Sequence, residues 1–267
     1  MASTAAADRY AEAYGGAARA YLELLDPTLA PVVRRIVDLL DGEPNERLLD
    51  LATGTGAIAR EAVARGLRVH GVDVAAGMVA LAREVGPEEI EYGVADAASL
   101  PFDDATFDRA TCGFGLSHMP DPGAVLREIR RVLRPDGVFV ESSWGAQGAN
   151  AAFAVVLDEL GRASNGQLHA FAGILDEDTW AHVRSGADLI GGAGFAVDVL
   201  TERLEGRYES PDAAIAWALA WPDYGLVAER LTAEQRVAFE RRVRERLAEV
   251  PLNWWFAINY YVARRTG

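Results

Sequence analysis

Apolar residues recur at threes, fours and sevens through Tyr10, Tyr14, Tyr21, Leu25, Leu29, Val32 and Ile36, which predicts helix over residues 8–41. Pro27 and Pro31 punctuate that stretch, and Asp41-Gly42 closes it. Short apolar runs then alternate with helical ones. Strands are expected at 48–52, 69–74, 90–95, 110–114 and 138–143, and helices at 57–65 and 77–85. Asp121-Pro122 opens a further helix whose inward side is Val125, Leu126, Ile129, Val132 and Leu133. Arg127, Arg130, Arg131 and Arg134 fall mostly on its outer side and read as a solvated face. Alternation of this length means a parallel sheet with right-handed crossovers and helices on both faces. The regularity breaks after residue 144. Residues 145–177 are rich in Gly, Ala and Asn around one helix near 153–160. Beyond them the pattern predicts a helix near 179–190, a strand near 197–204, two helices within 211–250 and a β-prone run at 254–262.

Composition narrows the function more than the fold. The chain has 267 residues, a length for one large domain or a domain with a lid. Its 26 basic and 40 acidic residues give a net charge of -14. An acidic balance disfavours nucleic acid and anionic membrane surfaces as partners. The lone Cys112 reads as a small buried hydrophobe, and no Cys/His cluster has zinc-ligand spacing, so no metal is expected. The N-terminus has neither a basic nor an apolar leader region, and no apolar run approaches the ~20 residues of a spanning helix, so a cytoplasmic location is expected.

The sharpest signal is Leu48-Leu-Asp-Leu-Ala-Thr-Gly-Thr-Gly-Ala-Ile-Ala59. Gly54 and Gly56 stand where a strand must turn sharply into a helix, and without a Cβ the backbone there can take positive φ and let a ligand approach. Taken alone, Gly54-x-Gly56-x-x-Ala59 also fits a dinucleotide fingerprint. Asp73, at the tip of the second strand, is placed to accept both hydroxyls of a ribose in either nucleotide reading. Asp50, inside the end of the first strand, repels a pyrophosphate and favours a cationic amino group. Asp96, closing the third strand, can accept from an adenine amine. A ligand with adenine, ribose and a cationic amino-acid tail fits this set, and S-adenosylmethionine is such a ligand.

On these residues the sequence resembles the class I S-adenosylmethionine-dependent methyltransferases. Asp50-x-x-x-Gly54-x-Gly56 is similar to their first motif, Asp73 to the acidic residue after strand two, and Asp96-Ala97 to their adenine-contacting pair. Cys112-Gly-Phe-Gly-Leu-Ser-His-Met-Pro-Asp121 followed by Arg131-Val-Leu-Arg-Pro-Asp-Gly137 is similar to the ubiquinone/menaquinone-biosynthesis C-methyltransferase group. The resemblance covers about residues 46–144. It departs from the family pattern at Ala57 and Asp136, where the family usually has glycine. It implies a Rossmann-like α/β fold with seven strands in the order 3-2-1-4-5-7-6, strand seven antiparallel. Residues 197–204 and 254–262 are then strands six and seven. The implied division is one domain over 1–267, with a helical cap at 1–45, a cofactor-binding core at 46–144 and lid insertions at 145–177 and 208–252.

The cofactor set carried by the resemblance is Asp50, Ala52, Thr53, Gly54, Gly56, Asp73, Val74, Met78, Asp96, Ala97, Phe114, His118 and Tyr14. Methyl transfer from a sulfonium is an in-line displacement, in which the protein mainly aligns the reactants and excludes water. A base is needed only when the nucleophile carries a proton. His118, after strand four, is the base candidate, beside a reading as a structural or cofactor-shelf residue. Tyr10, Trp144, His169, Trp217, Trp221 and Tyr224 are the candidates for the substrate space, Trp217, Trp221 and Tyr224 because Pro222 breaks the helix there. Tyr10 and Tyr14 either close over the methionine end or pack within their helix. His70 reads as core, His182 as surface, and the aromatic run 254–261 as core. Glu141 alone is too little for a metal-dependent transfer. The expectation is methyl transfer to carbon or oxygen of a small apolar or aromatic molecule, with homodimer formation left open. The alternative is a protein that binds S-adenosylmethionine without transferring its methyl, using it structurally or in a reaction such as a cyclisation.

Overall fold

A computed structural model describes residues 2–166 and 186–266; the side chains of residues 2–10 and of Ala146 are not described. The chain begins with α1 (Ala2–Ala20), a π-helical turn (Tyr21–Leu25) and α2 (Asp26–Leu40). Pro27 sits in the first turn of α2, where its missing N–H costs nothing, and Asp41 ends the helix in the left-handed conformation at φ 48°. There follow β1 (Arg47–Leu51), α3 (Ala57–Ala64), β2 (Arg68–Asp73), α4 (Ala76–Val85), β3 (Glu91–Val94) and β4 (Phe107–Gly113). Then come α5 (Pro122–Val132), β5 (Leu133–Ala149) and α6 (Ala151–Ala163). After the undescribed segment the described elements are α7 (Gly186–Gly192), β6 (Phe195–Arg207), α8 (Pro211–Leu219), α9 (Pro222–Glu229), α10 (Ala233–Leu247) and β7 (Asn253–Arg265).

The sheet runs β3-β2-β1-β4-β5-β7-β6. All pairings from β3 to β5 are parallel, and β7 is antiparallel to both β5 and β6, as the resemblance implies. Helix starts follow local chemistry. Asp121 accepts from the Ala124 N–H at 2.8 Å to open α5, Asn150 from Phe153 at 3.0 Å to open α6, and Thr232 with Gln235 forms a capping box for α10.

Three expectations change. The 211–250 stretch holds three helices, because Pro222 forces Trp221 out of the helical region and starts a new helix. The strand expected at 138–143 runs from Leu133 to Ala149 and takes in Pro135-Asp136-Gly137 as a bulge, with Asp136 at φ 64°. Arg131 is also more than a solvated charge: it bonds the carbonyls of Leu100 and Phe102 and the carboxylates of Asp104 and Glu128, clamping the loop before β4. The arginines of α10 are ion-paired, and two of them, Arg242 and Arg246, close on the buried Glu159 of α6.

One face of the sheet is packed by α2, α3, α6 and α8–α10, the other by α5 and α7. Trp254, Tyr260 and Tyr261 of β7 are core, as read, and so is Cys112. His70 is half-buried, edge-on to Phe102 and Phe107, with its Nε2 2.8 Å from Glu91. The N-terminal helix crosses α4 backbone to backbone: a Cβ on Gly77 would lie 2.7 Å from the Gly15 Cα, so both helices meet through glycine. This crossing sets α1 over the carboxyl ends of the parallel strands, where ligands bind in such sheets. Among the described residues, no helix is long and apolar enough to cross a membrane, and no group of three or more His, Cys, Asp or Glu side chains is gathered to hold a metal.

Candidate active site

A cavity opens at that end of the sheet, between the glycine turn, α1, the π turn, α2, the start of α4, the loop after β4, and Trp221. The turn is built from backbone conformations that few side chains tolerate. Gly54 has φ 55° and Gly56 φ 82°. A Cβ on Gly56 would lie 2.2 Å from the Tyr92 hydroxyl, whereas at Gly54 the nearest atom is 4.0 Å away and the space beyond is open. Gly56 therefore allows the turn to pack, and Gly54 leaves room for a ligand. Two residues with a Cβ are also held at positive φ, Ala52 at 50° and Phe114 at 59°, and both line the cavity. Sequence reading chose both as cofactor contacts without foreseeing this strain, which is stored where surrounding packing over-determines it.

Asp73 does two jobs. Its Oδ2 accepts from the Gly54 N–H at 2.9 Å and its Oδ1 from the Ala75 N–H at 2.8 Å, so it fixes the glycine turn and the start of α4 together. Each carboxylate oxygen has a second lone pair, leaving two acceptor sites for the hydroxyls of a ribose. Burial pushes its carboxyl up from the ordinary value, and the backbone N–H groups oppose that shift.

Asp50 is placed differently from expectation. It is fully buried behind the wall, with Oδ2 accepting from Thr53 at 2.6 Å and Oδ1 from Thr111 at 2.8 Å. Burial raises its carboxyl to about 6. It holds Thr53, which does line the cavity, and its own oxygens are occupied by two hydroxyls. Asp96 is exposed at the end of β3, accepting from the Ala98 N–H at 2.8 Å; neither it nor Ala97 is in the cavity wall. Val74 and Met78 are in the wall, with Tyr14 of α1.

His118 lies on the short turn Leu116–His118, in the cavity wall, its ring 6.1 Å from that of Tyr14. Burial lowers its pKa to about 4, so the imidazole is neutral at pH 7. A base that weak is poorly matched to proton abstraction near neutrality. The expected result is that kcat/KM shows no His118-dependent limb between about pH 6 and 8. An inflection in that range that disappears in His118→Ala would show that the group titrates there.

The aromatic candidates separate. Trp221 is in the wall, edge-on to Tyr21 at 6.2 Å and to Trp144 at 5.8 Å. Trp144 stands one layer back, stacked on Phe114 at 4.7 Å. Trp217 and Tyr224 do not line this cavity. Trp217 is 6% exposed, stacked on Trp254, with its Nε1–H donating to Thr28 at 3.2 Å, and Tyr224 packs edge-on against Phe153. The helical period cannot distinguish Trp217 from Trp221, and only the break at Pro222 turns the second toward the cavity. Tyr10 lies on α1 four residues before Tyr14, its side chain outside those described, and His169 and His182 lie outside the described residues altogether. Sequence reading missed Tyr21 and Asp26 as wall residues. The π turn was a structural signal for both, but it is invisible in the pattern.

With this geometry, residues 49–140 match a family model described as "Methyltransferase domain". The demethylmenaquinone methyltransferase of Clavibacter sepedonicus is 42% identical over 97 residues, which is 36% of this chain and 40% of that protein. That of Thermus thermophilus is 43% identical over 112 residues, 40% of this chain and 51% of the relative. The chain thus spans two fifths to half the length of these curated relatives. Among solved structures, a protein of Anabaena variabilis described as a methyltransferase from an antibiotic biosynthesis pathway covers 86% of this chain and 96% of its own at TM-score 0.61 and 16% identity. YcgJ of Bacillus subtilis covers 88% and 98% at TM-score 0.56 and 22% identity, and the cyclase SpnF covers 88% and 81% at 0.55 and 20%. At such identities these share the fold alone. The glycine turn bound to Asp73 and the sheet order accord with that match, and residues 49–140 are similar to a methyltransferase domain and to the demethylmenaquinone methyltransferases above.

Proposed function

We propose that this protein transfers a methyl group from S-adenosylmethionine to a carbon or oxygen of a small apolar or aromatic acceptor. The observation that carries the reading is the charge of the cavity wall: its ionisable acids are Asp26 and Asp73, and among the described residues no lysine or arginine lines it. A pyrophosphate is repelled by such a wall, and a ligand with net positive charge is favoured. Asp73 suits a ribose, Gly54 leaves open space above the turn, and the strained Ala52 and Phe114 hold the floor.

S-adenosylmethionine supplies an electrophilic methyl on a sulfonium. The chain's residues hold the reactants in line and keep water out, which is where most of the rate gain in such a displacement arises. Phe114, Met119, Tyr21 and Trp221 give the acceptor side of the cavity an apolar, aromatic surface suited to a flat, weakly polar molecule. A quinone ring similar to that of the relatives' named substrate fits this class. The helices over 1–45 and 208–252 act as a lid, with α1 seated on α4 and α9. His118 stays neutral and serves as a shelf or hydrogen-bonding group, and Asp96 contacts the adenine from the rim.

Thermal-shift measurement against S-adenosylhomocysteine and NAD tests the cofactor, and a labelled-methyl assay over a panel of phenols, quinols and enolisable ketones tests the transfer. Stabilisation by S-adenosylhomocysteine and not NAD is expected, with label entering at least one acceptor class. Stabilisation by NAD alone overturns the reading; cofactor binding without transfer to any acceptor favours a non-transferring protein.

A further inference from the structure

Asp26 opens α2 directly after the π turn, and its side chain is 12% exposed in the cavity wall. Its Oδ2 accepts from the Thr55 hydroxyl at 2.7 Å and from Arg60 at 3.1 Å. Arg60 also donates to the Thr55 carbonyl, so the residue after Gly54 is held from both its backbone and its side chain. Both of these contacts fall on Oδ2, and Oδ1 has no partner among the described residues. A carboxylate oxygen open to a cavity is a strong acceptor for a charged donor.

Position says which donor. Asp73 lies on β2, between β3 on one side and the glycine turn on the other. The Gly54 N–H reaches Asp73, while the next residue, Thr55, reaches Asp26. A ligand with its ribose on Asp73 and its adenine toward β3 therefore extends its opposite end across the turn toward Asp26. In S-adenosylmethionine that end is an amino acid, whose ammonium supplies N–H donors; the sulfonium has none. The cation expected at Asp50 does not reach it, because Asp50 is fully buried behind Thr53 and lies outside the cavity wall.

We propose that Asp26 binds the α-ammonium group of the S-adenosylmethionine amino-acid end, so that the ligand ties the cap helix α2 to the glycine turn. This rests on the cavity being the S-adenosylmethionine site. Burial pushes the Asp26 carboxyl upward, and Arg60 offsets only part of that; a second cation restores the ionised form.

Titration calorimetry on the full chain separates this role from simple helix anchoring by using two ligands. S-adenosylhomocysteine carries the amino-acid end, and 5′-methylthioadenosine lacks it. Asp26→Asn is expected to raise the Kd for S-adenosylhomocysteine roughly 10- to 100-fold, the range of a charge-assisted bond, and to leave that for methylthioadenosine within about twofold. Thr55→Val, which only loosens Asp26, is expected to give a smaller selective loss of about 3- to 10-fold, and decides the matter if Asp26→Asn does not fold. Unchanged affinity for S-adenosylhomocysteine, or equal losses for both ligands, overturns the proposal. A wild-type chain that binds neither ligand overturns the cofactor reading, and this assignment with it.

Discussion

Asp73→Ala is expected to weaken binding of S-adenosylhomocysteine at least ~100-fold in titration calorimetry, because the substitution removes two supports at once. The first is direct: the acceptors for the ribose hydroxyls disappear. The second is structural. The N–H groups of Gly54 and Ala75, now 2.9 and 2.8 Å from the carboxylate, are orphaned in a half-buried place. Hydrogen bonds to a charged group are each worth about 1.5–3 kcal/mol, so losing the two to the ribose hydroxyls alone accounts for a factor on that scale, while the orphaned N–H groups loosen the turn. Asp73→Asn keeps one acceptor oxygen and is expected to fall between the variant and the wild type. An Asp73→Ala chain that folds and binds within a few-fold of native affinity would remove Asp73 from the site.

That residue was legible in the sequence because its role is local: a carboxylate at the tip of a strand, nineteen residues past Gly54, needs no knowledge of distant packing. The same holds for Gly54 and Gly56, whose identities encode the turn. The sheet order beyond β5 was legible only through the family resemblance, since a β-prone run such as 254–262 does not state its neighbours. What stayed hidden depends on docking. Asp26 and Tyr21 reach the cavity because α1 sits on α4 through Gly15 and Gly77 and because one π turn rotates the chain between them. Ala52 and Phe114 carry no mark of positive φ, as only glycine advertises that freedom. Asp50 was read by its position, and its contacts stayed hidden, because Thr111 lies sixty-one residues away and enters only once β4 pairs with β1.

Glu141 of β5 gives the other large effect, on stability rather than binding. It is 3% exposed, paired in register with Cys112 of β4 and Tyr261 of β7, and burial pushes its carboxyl to about 8. The folded chain therefore binds a proton that the unfolded chain gives up near the ordinary value of 4.5. The stabilisation is complete below that value and is lost as pH rises through about 8. Its full size is on the order of 5 kcal/mol, from 1.36 kcal/mol per unit. His118, lowered to about 4, acts in the opposite sense as pH falls below its ordinary 6.5, and Asp50, raised to about 6, adds to the Glu141 trend at lower pH. Comparing wild type with Glu141→Gln, a neutral isostere, cancels both. In urea titrations the two chains are expected to be within about 1 kcal/mol of each other near pH 5, with the variant more stable by about 4–5 kcal/mol near pH 8.5. A difference that does not change between those pH values would mean that Glu141 is ionised in the folded chain throughout, and that some contact offsets the cost of burying its charge.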